Sequence, residues 1–228
     1  MHARIRSTIA IAAGLTLAAT AGPEWTAVEG NGRAAVELKT ATVLDTPART
    51  TLRNGTSALD IAWLGNAEAR DFRRETHTGG LTRSVQRSGS TTITRTVLAS
   101  EKHGAIFIHF LADMPGALTF RVAHGGPRGV EAHIEDRRQL ILPPGKSSTG
   151  AHIRVLPFES DVTPGAHSIT VRGEGEALVI WTYAPDQTPA ETWEKLGDLH
   201  DPGHRPPDPA KIWRGVLEDA LRAAENSP

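Results

Sequence analysis

The 228-residue sequence has no cysteine, two methionines and few aromatic side chains, namely five Trp, five Phe and one Tyr. Without cysteine there is no disulfide framework, no thiolate nucleophile and no Cys-ligated zinc or iron–sulfur centre, so a packed core must supply the stability. Charge of one sign is missing too. Lys plus Arg number 25 against 26 Asp plus Glu, a net charge of −1. That balance gives no overall basic field for nucleic acid and no acidic tail for basic partners. What is abundant is turn chemistry: 22 Gly and 15 Pro beside 39% apolar residues. This composition fits one medium globular domain, or one domain with an appendage.

The amino terminus reads as an address. Arg4 and Arg6 precede an apolar stretch from Ile9 to Ala19, and Ala19-Thr20-Ala21 supplies small residues before Gly22. This is the pattern of a secretory signal peptide over residues 1–21, cut after Ala21. The stretch is about half the ~20 residues of a membrane span, and no later segment approaches that length. A secreted or periplasmic mature protein is expected, with no transmembrane segment.

From Gly32 to Tyr183, short apolar or alternating runs are separated by Gly, Pro, Asn and Asp. That rhythm predicts strands over Ser57 to Leu64, Thr91 to Ala99, Ala105 to Ala112, Ala117 to Ala123, Ala151 to Leu156, Ala166 to Arg172 and Ala177 to Tyr183. Met114-Pro115-Gly116, Gly125-Gly126-Pro127, Pro143-Pro144-Gly145 and Thr163-Pro164-Gly165 supply turns and are excluded from central strands. Ala177-Leu178-Val179-Ile180-Trp181 is apolar at consecutive positions, which implies burial on both faces. Ile169 and Val171 instead alternate with Ser168, Thr170 and Arg172, which implies one wet face. The expected fold is all-β, a two-sheet antiparallel β-sandwich over residues 22–186.

Residues 187–228 change character to helices and a Pro-rich linker. Thr188-Pro189-Ala190-Glu191 is a capping box that opens a short helix to about Leu199. Asp201 to Pro207 is a stiff linker. Asp208-Pro209 repeats the cap, and Ile212, Trp213, Val216, Leu217, Ala220 and Leu221 recur at helical spacing. That apolar stripe needs a cover, either the chain's own sandwich or a partner chain.

Chemistry is sparse. A glycosidase needs two carboxyl groups about 5 to 9.5 Å apart with divergent environments. The candidates are Glu131 with Glu135 or Asp136, Glu174 with Glu176, and Glu159 with Asp161. Each lies at or beside a turn and reads as a solvated acid. Gly30-Asn31-Gly32-Arg33-Ala34-Ala35 satisfies a dinucleotide pattern formally but lacks a suitable strand before it and an acid at the required distance, so it reads as a tight turn. His200 and His204 have ligand-like spacing, yet Pro202 and Gly203 make the segment a loop. His109 and His167 fall in strands, as partly exposed or hydrogen-bonded side chains. No metal, no cofactor and no catalytic residue is assigned. Ser147-Ser148 follows Pro144-Gly145-Lys146 and lacks a nucleophile elbow. Trp25, Trp63, Trp181, Tyr183 and Trp213 are the aromatic rings to consider as sugar platforms, although strand tryptophans usually belong to a core. Asn54-Gly55-Thr56 is both a glycosylation sequon and a hairpin signal.

Three stretches, in order, carry a family resemblance. The first is Trp25 to Arg33 followed by Ala34-Ala35-Val36. The second is Leu59-Asp60-Ile61 with Asp71-Phe72-Arg73-Arg74-Glu75 and Thr78-Gly79. The third is Thr94 to Ser100, the strand Ala105 to Leu111, Ala112-Asp113 and Pro115 to Phe120. Together they resemble the N-terminal β-domain of glycoside hydrolase family 95, which includes α-L-fucosidases, over about residues 25 to 190. Phe72 stands where that family has Tyr, Thr76-His77 replace Leu-Asp, and Val36 to Ser57 is shortened. The resemblance implies a supersandwich-like fold, and the family's catalytic residues lie in a following helical barrel that this sequence lacks. It further implies a non-catalytic module, carbohydrate-associated or scaffolding, with a glycan as possible partner. The alternative is a partner subunit of a separately encoded helical glycosidase chain, a split hydrolase docked through the terminal stripe.

Overall fold

The computed structural model describes residues 26–29, 34–38, 41–54, 57–64, 69–77, 81–100, 103–125, 132–135, 137–143, 150–159, 162–182 and 208–225. Its strands are β1 (Thr26–Glu29), β2 (Ala34–Leu38), β3 (Ala41–Thr46), β4 (Arg49–Asn54), β5 (Ser57–Trp63), β6 (Ala69–His77), β7 (Leu81–Ser88) and β8 (Thr91–Ser100). They continue as β9 (Ala105–Ala112), β10 (Leu118–His124), β11 (His133–Glu135), β12 (Gln139–Leu142), β13 (Ala151–Pro157), β14 (Thr163–Pro164), β15 (Ser168–Glu174) and β16 (Glu176–Thr182). One helix, α1 (Pro209–Glu225), closes the described chain. The signal segment, the helix expected from Thr188 and the His200/His204 loop lie outside the described residues.

Two antiparallel sheets face each other. The first has nine strands in the order β1-β6-β7-β8-β9-β16-β13-β12-β11, and the second has seven in the order β14-β15-β10-β5-β4-β3-β2. The all-β sandwich expected from the turn rhythm is what forms. Two described corners, one with Pro and Gly between β9 and β10 and one with Gly between β15 and β16, carry the chain between sheets. Met114, Pro115 and Gly116 separate β9 from β10, with Gly116 at φ 79°, a conformation that costs glycine little. Thr163-Pro164 forms a two-residue strand at the edge of the seven-stranded sheet, where a missing N–H donor is tolerated.

Two apolar layers hold the molecule together. Between the sheets lie Leu52, Leu59, Ile61, Phe120, Val122, Ile169 and Val171 from one side, with Ile93, Val97, Ile106, Ile108, Phe110, Ile153, Val155, Val179 and Trp181 from the other. The second layer sits on the outer face of the nine-stranded sheet, where Leu81, Leu98, Ala105, Phe107, Leu156, Leu178 and Ile180 meet Ile212, Trp213 and Val216 of α1. This is why β16 is apolar at every successive position: Val179 and Trp181 face the sandwich, while Leu178 and Ile180 face the helix. Full burial of each such side chain contributes about 1.5–3 kcal/mol.

The helix begins as its sequence predicts. Asp208 Oδ1 accepts hydrogen bonds from the backbone N–H of Ala210 at 3.0 Å and of Lys211 at 3.3 Å, and Pro209 occupies the first turn, where no donor is needed. Arg222 lies in the last turn, where a cation complements the helix dipole.

Candidate functional site

Among the described residues, Glu174 and Glu176 do not assemble into an acid–base pair. Glu174 and Glu176 are two apart in sequence yet end one strand and begin another. Glu174 closes β15 in the seven-stranded sheet, and Glu176 opens β16 in the nine-stranded one. They therefore share no strand face, because Gly175 is a corner between sheets. The solvated reading is corrected: Glu174 is 0% exposed, and its Oε2 accepts the backbone N–H of Glu159 at 3.1 Å. Glu176 is engaged from the other side. The His109 Nε2–H donates to its Oε1 at 2.7 Å, since an ionised carboxylate only accepts. Glu135 ends the short strand β11 and Glu159 follows β13, both exposed. Glu131, Asp136 and Asp161 lie outside the described residues.

His109 is the hinge of the helix contact. It points outward from β9, is buried, and stacks on the Trp213 ring at 4.6 Å with 10° between planes. Phe158 approaches edge-on at 6.0 Å. Thus the tryptophan in the terminal stripe meets an imidazole fixed by a carboxylate, and the stripe is taken up by the chain's own sheet. Trp63 and Trp181, also considered as sugar platforms, are committed to packing as well. Trp181 is fully buried between the sheets, and Trp63 packs edge-on against Phe110 at 5.5 Å and Phe120 at 5.6 Å. Trp25 and Tyr183 lie outside the described residues.

Inside the sandwich is a buried cation that sequence reading passed over. Arg95 shares the inward parity of Ile93 and Val97 on β8 and is 1% exposed. One terminal nitrogen donates to the Thr46 carbonyl at 2.9 Å and to Thr50 Oγ1 at 3.0 Å, and the other donates to Gln86 Oε1 at 2.7 Å. Its guanidinium also lies 5.7 Å from the Trp63 ring and 5.5 Å from the Phe72 ring. Hydrogen bonds and two π faces offset the desolvation of a charge that would otherwise be costly to bury. The backbone is bent to place Phe72 there. β6 carries a bulge between Arg70 and Arg73, with Asp71 at φ 54°, a conformation Asp tolerates better than most residues. The signal available in the sequence was a lone Arg amid a β-branched run, Thr91 to Val97.

The outer face of the seven-stranded sheet is the opposite kind of surface. The burial of β15 and β10 alternates, so Ser168, Thr170 and Arg172 face out beside Thr119, Arg121 and Ala123. On the neighbouring strands Asp60 accepts from Thr51 Oγ1 at 2.7 Å and lies 3.7 Å from the Arg49 guanidinium. Gly125 abuts this carboxylate so closely that a Cβ there would sit 2.6 Å from Asp60 Cγ. Burial holds the nearby His124 below the ordinary imidazole value, partly offset by the Asp60 charge.

Two further histidines sit within the fold. His167 Nδ1 lies 2.6 Å from the Ala132 carbonyl oxygen. His152 on β13 is held below the ordinary value of 6.5, first by burial and then by the charge of His133. Among the described residues no group of three or more His, Asp or Glu converges as metal ligands would. The stretch beginning at Gly30 leads into strand β2, where a dinucleotide site requires a helix. No described helix is long and apolar enough to cross a membrane. The strands flanking the sequon pair with Asn54 opposite Ser57.

No family model and no curated protein matches the sequence. Among solved structures, the chain is similar to a mutant glycoside hydrolase family 81 protein from Clostridium thermocellum, at 14% identity and a TM-score of 0.46. The similarity covers 72% of this chain, which spans only 24% of that structure.

Proposed function

We propose that this chain acts as a secreted, non-catalytic β-sandwich module of the carbohydrate-associated or scaffolding kind, akin to the N-terminal domain of family 95 glycosidases. One observation carries the reading. Parts of the second and third stretches that resemble that domain meet at a single centre. Trp63 follows Leu59-Asp60-Ile61, Phe72 belongs to the Asp71 to Glu75 stretch, and Arg95 belongs to Thr94 to Ser100. These three side chains stack together, and Phe110 and Phe120 of the last stretch pack against Trp63. A cluster drawn from sequence-distant motifs is what a shared domain architecture requires. The acids Glu174 and Glu176 serve in contacts to Glu159 and His109, which supports a non-catalytic role.

The split-hydrolase alternative was motivated by an apolar helix stripe in need of a partner. Ile212, Trp213 and Val216 are buried against the chain's own sheet, so that motive is removed. The test is a two-dimensional NMR titration of the whole protein with fucosylated and galactosylated oligosaccharides, with released sugar assayed in the same tube. Localised shifts without release are expected for a binding module. Sugar release abolished by one Glu or Asp substitution would overturn the non-catalytic reading.

A further inference from the structure

In a chain of net charge −1, four exposed arginines nevertheless share one face. The outer side of the seven-stranded sheet carries Arg172 on β15, Arg121 on β10, and Arg49 and Arg53 on β4, all exposed. The only acid among the described side chains of that face is Asp60, and its carboxylate is already met by Thr51 and Arg49. Among the described residues, Arg53, Arg121 and Arg172 engage no carboxylate. We propose that this face binds an anionic polysaccharide, one bearing carboxylate or sulfate groups along an extended chain.

The register sets the geometry. Arg121 pairs with Ala62, and Ala62 pairs with Arg49, so two guanidinium groups flank a methyl side chain across three strands. With strands about 4.8 Å apart, their backbones are separated by ~10 Å. Arg172 pairs with Thr119, two residues before Arg121, which extends the row diagonally across the sheet. Thr119 and Thr170 stand between the arginines with hydroxyls that both donate and accept. A row of spaced forks beside hydroxyls suits a polymer with regularly repeated anions and many hydroxyl groups. Each guanidinium can grip a carboxylate or sulfate with two parallel hydrogen bonds. Single exposed ion pairs are weak, so affinity must come from engaging several at once. Nucleic acid fits less well, because no aromatic ring projects from the described part of this face to stack on bases.

This inference rests on the carbohydrate-associated reading and narrows it to an anionic ligand. The experiment is affinity chromatography and calorimetry of the whole protein with polygalacturonate, heparin, a neutral galactan and duplex DNA. The expected result is salt-sensitive binding to at least one of the two anionic polysaccharides, with galactan and DNA at least tenfold weaker. Polygalacturonate against heparin then tells carboxylate from sulfate. The variant Arg49→Gln/Arg121→Gln/Arg172→Gln should lose binding at least tenfold, and Arg83→Gln/Arg87→Gln on β7 of the other sheet should keep it. Should the triple variant misfold, Arg121→Gln alone should still weaken binding severalfold at unchanged melting temperature. Binding to galactan or fucosylated oligosaccharides without preference for the anionic polymers would overturn this inference and leave the broader reading standing. Preference for DNA would overturn both, and no binding to any of these polymers would overturn this inference and leave only the scaffolding form of the broader reading. Equal loss in the β7 variant would overturn the placement on this face.

Discussion

The two outer faces of the sandwich are built from the same kind of strand and meet opposite fates. β15 and β16 are consecutive in sequence, joined at Gly175, and lie in different sheets. β15 alternates, with Ile169 and Val171 inward and Thr170 and Arg172 outward. β16 does not alternate, because Leu178 and Ile180 on its outward parity lie beneath α1. The number of layers covering a strand is thus written in its pattern: one period-two stripe for a wet face, continuous apolarity for a second buried face. The helix that closes the described chain is the third layer of the fold.

The largest expected break in this contrast comes from removing the ring at the helix–sheet contact. Trp213→Ala takes away the partner of His109 and should cost about 3–5 kcal/mol, read as a drop in the denaturation midpoint. The same assay should find Asp208→Ala worth about 1 kcal/mol, through loss of the cap on Ala210 and Lys211. Acidity gives a third handle, on the covered sheet. His152 is held below 6.5 in the folded state by burial and by His133, so the folded protein binds fewer protons than the unfolded chain. Its contribution is intact above about pH 6.5 and declines as pH falls below that value. His152→Gln should flatten this part of the stability–pH curve, and an unchanged slope would refute the assignment. The smallest effect belongs to the bare face: Arg121→Gln should change stability by no more than about 0.5 kcal/mol. A large loss there would mean that the face is covered too.

The legible parts of the fold were those whose side chains follow solvent. All seven strands read from pattern form within one or two residues of their expected limits, β9 from Ala105 to Ala112 without any difference. The Asp208-Pro209 cap and the stripe from Ile212 were equally plain, because capping and helical spacing are local. β6 and β7 were not among the strands read, since polar and charged residues dominate them. Their polarity has a structural cause. Ser84 and Gln86 are buried, and Gln86 serves the equally buried Arg95, a contact nine residues away that no periodicity reveals.

Glu174 and Glu176 part for a related reason. Spacing of two implies a shared face only within one strand, and Gly175 ends one strand before the other begins. Sequence spacing placed Glu174 and Glu176 together, whereas the corner sends one inward and the other to His109. The tryptophans, conversely, behaved as strand aromatics ordinarily do. Trp63 and Trp181 pack in the sandwich, so neither offers an aromatic platform.

The central claim is that α1 belongs to the sandwich as its third layer. Hydrogen exchange of the whole protein, read by mass spectrometry under native conditions, tests it most directly. If Ile212 to Leu221 are sealed on the sheet, their amides should exchange only with the same global opening that exposes β9 and β16, and with the same dependence on denaturant. Exchange of the helix many orders of magnitude faster than those strands would contradict the account and return the stripe to the surface as a docking element.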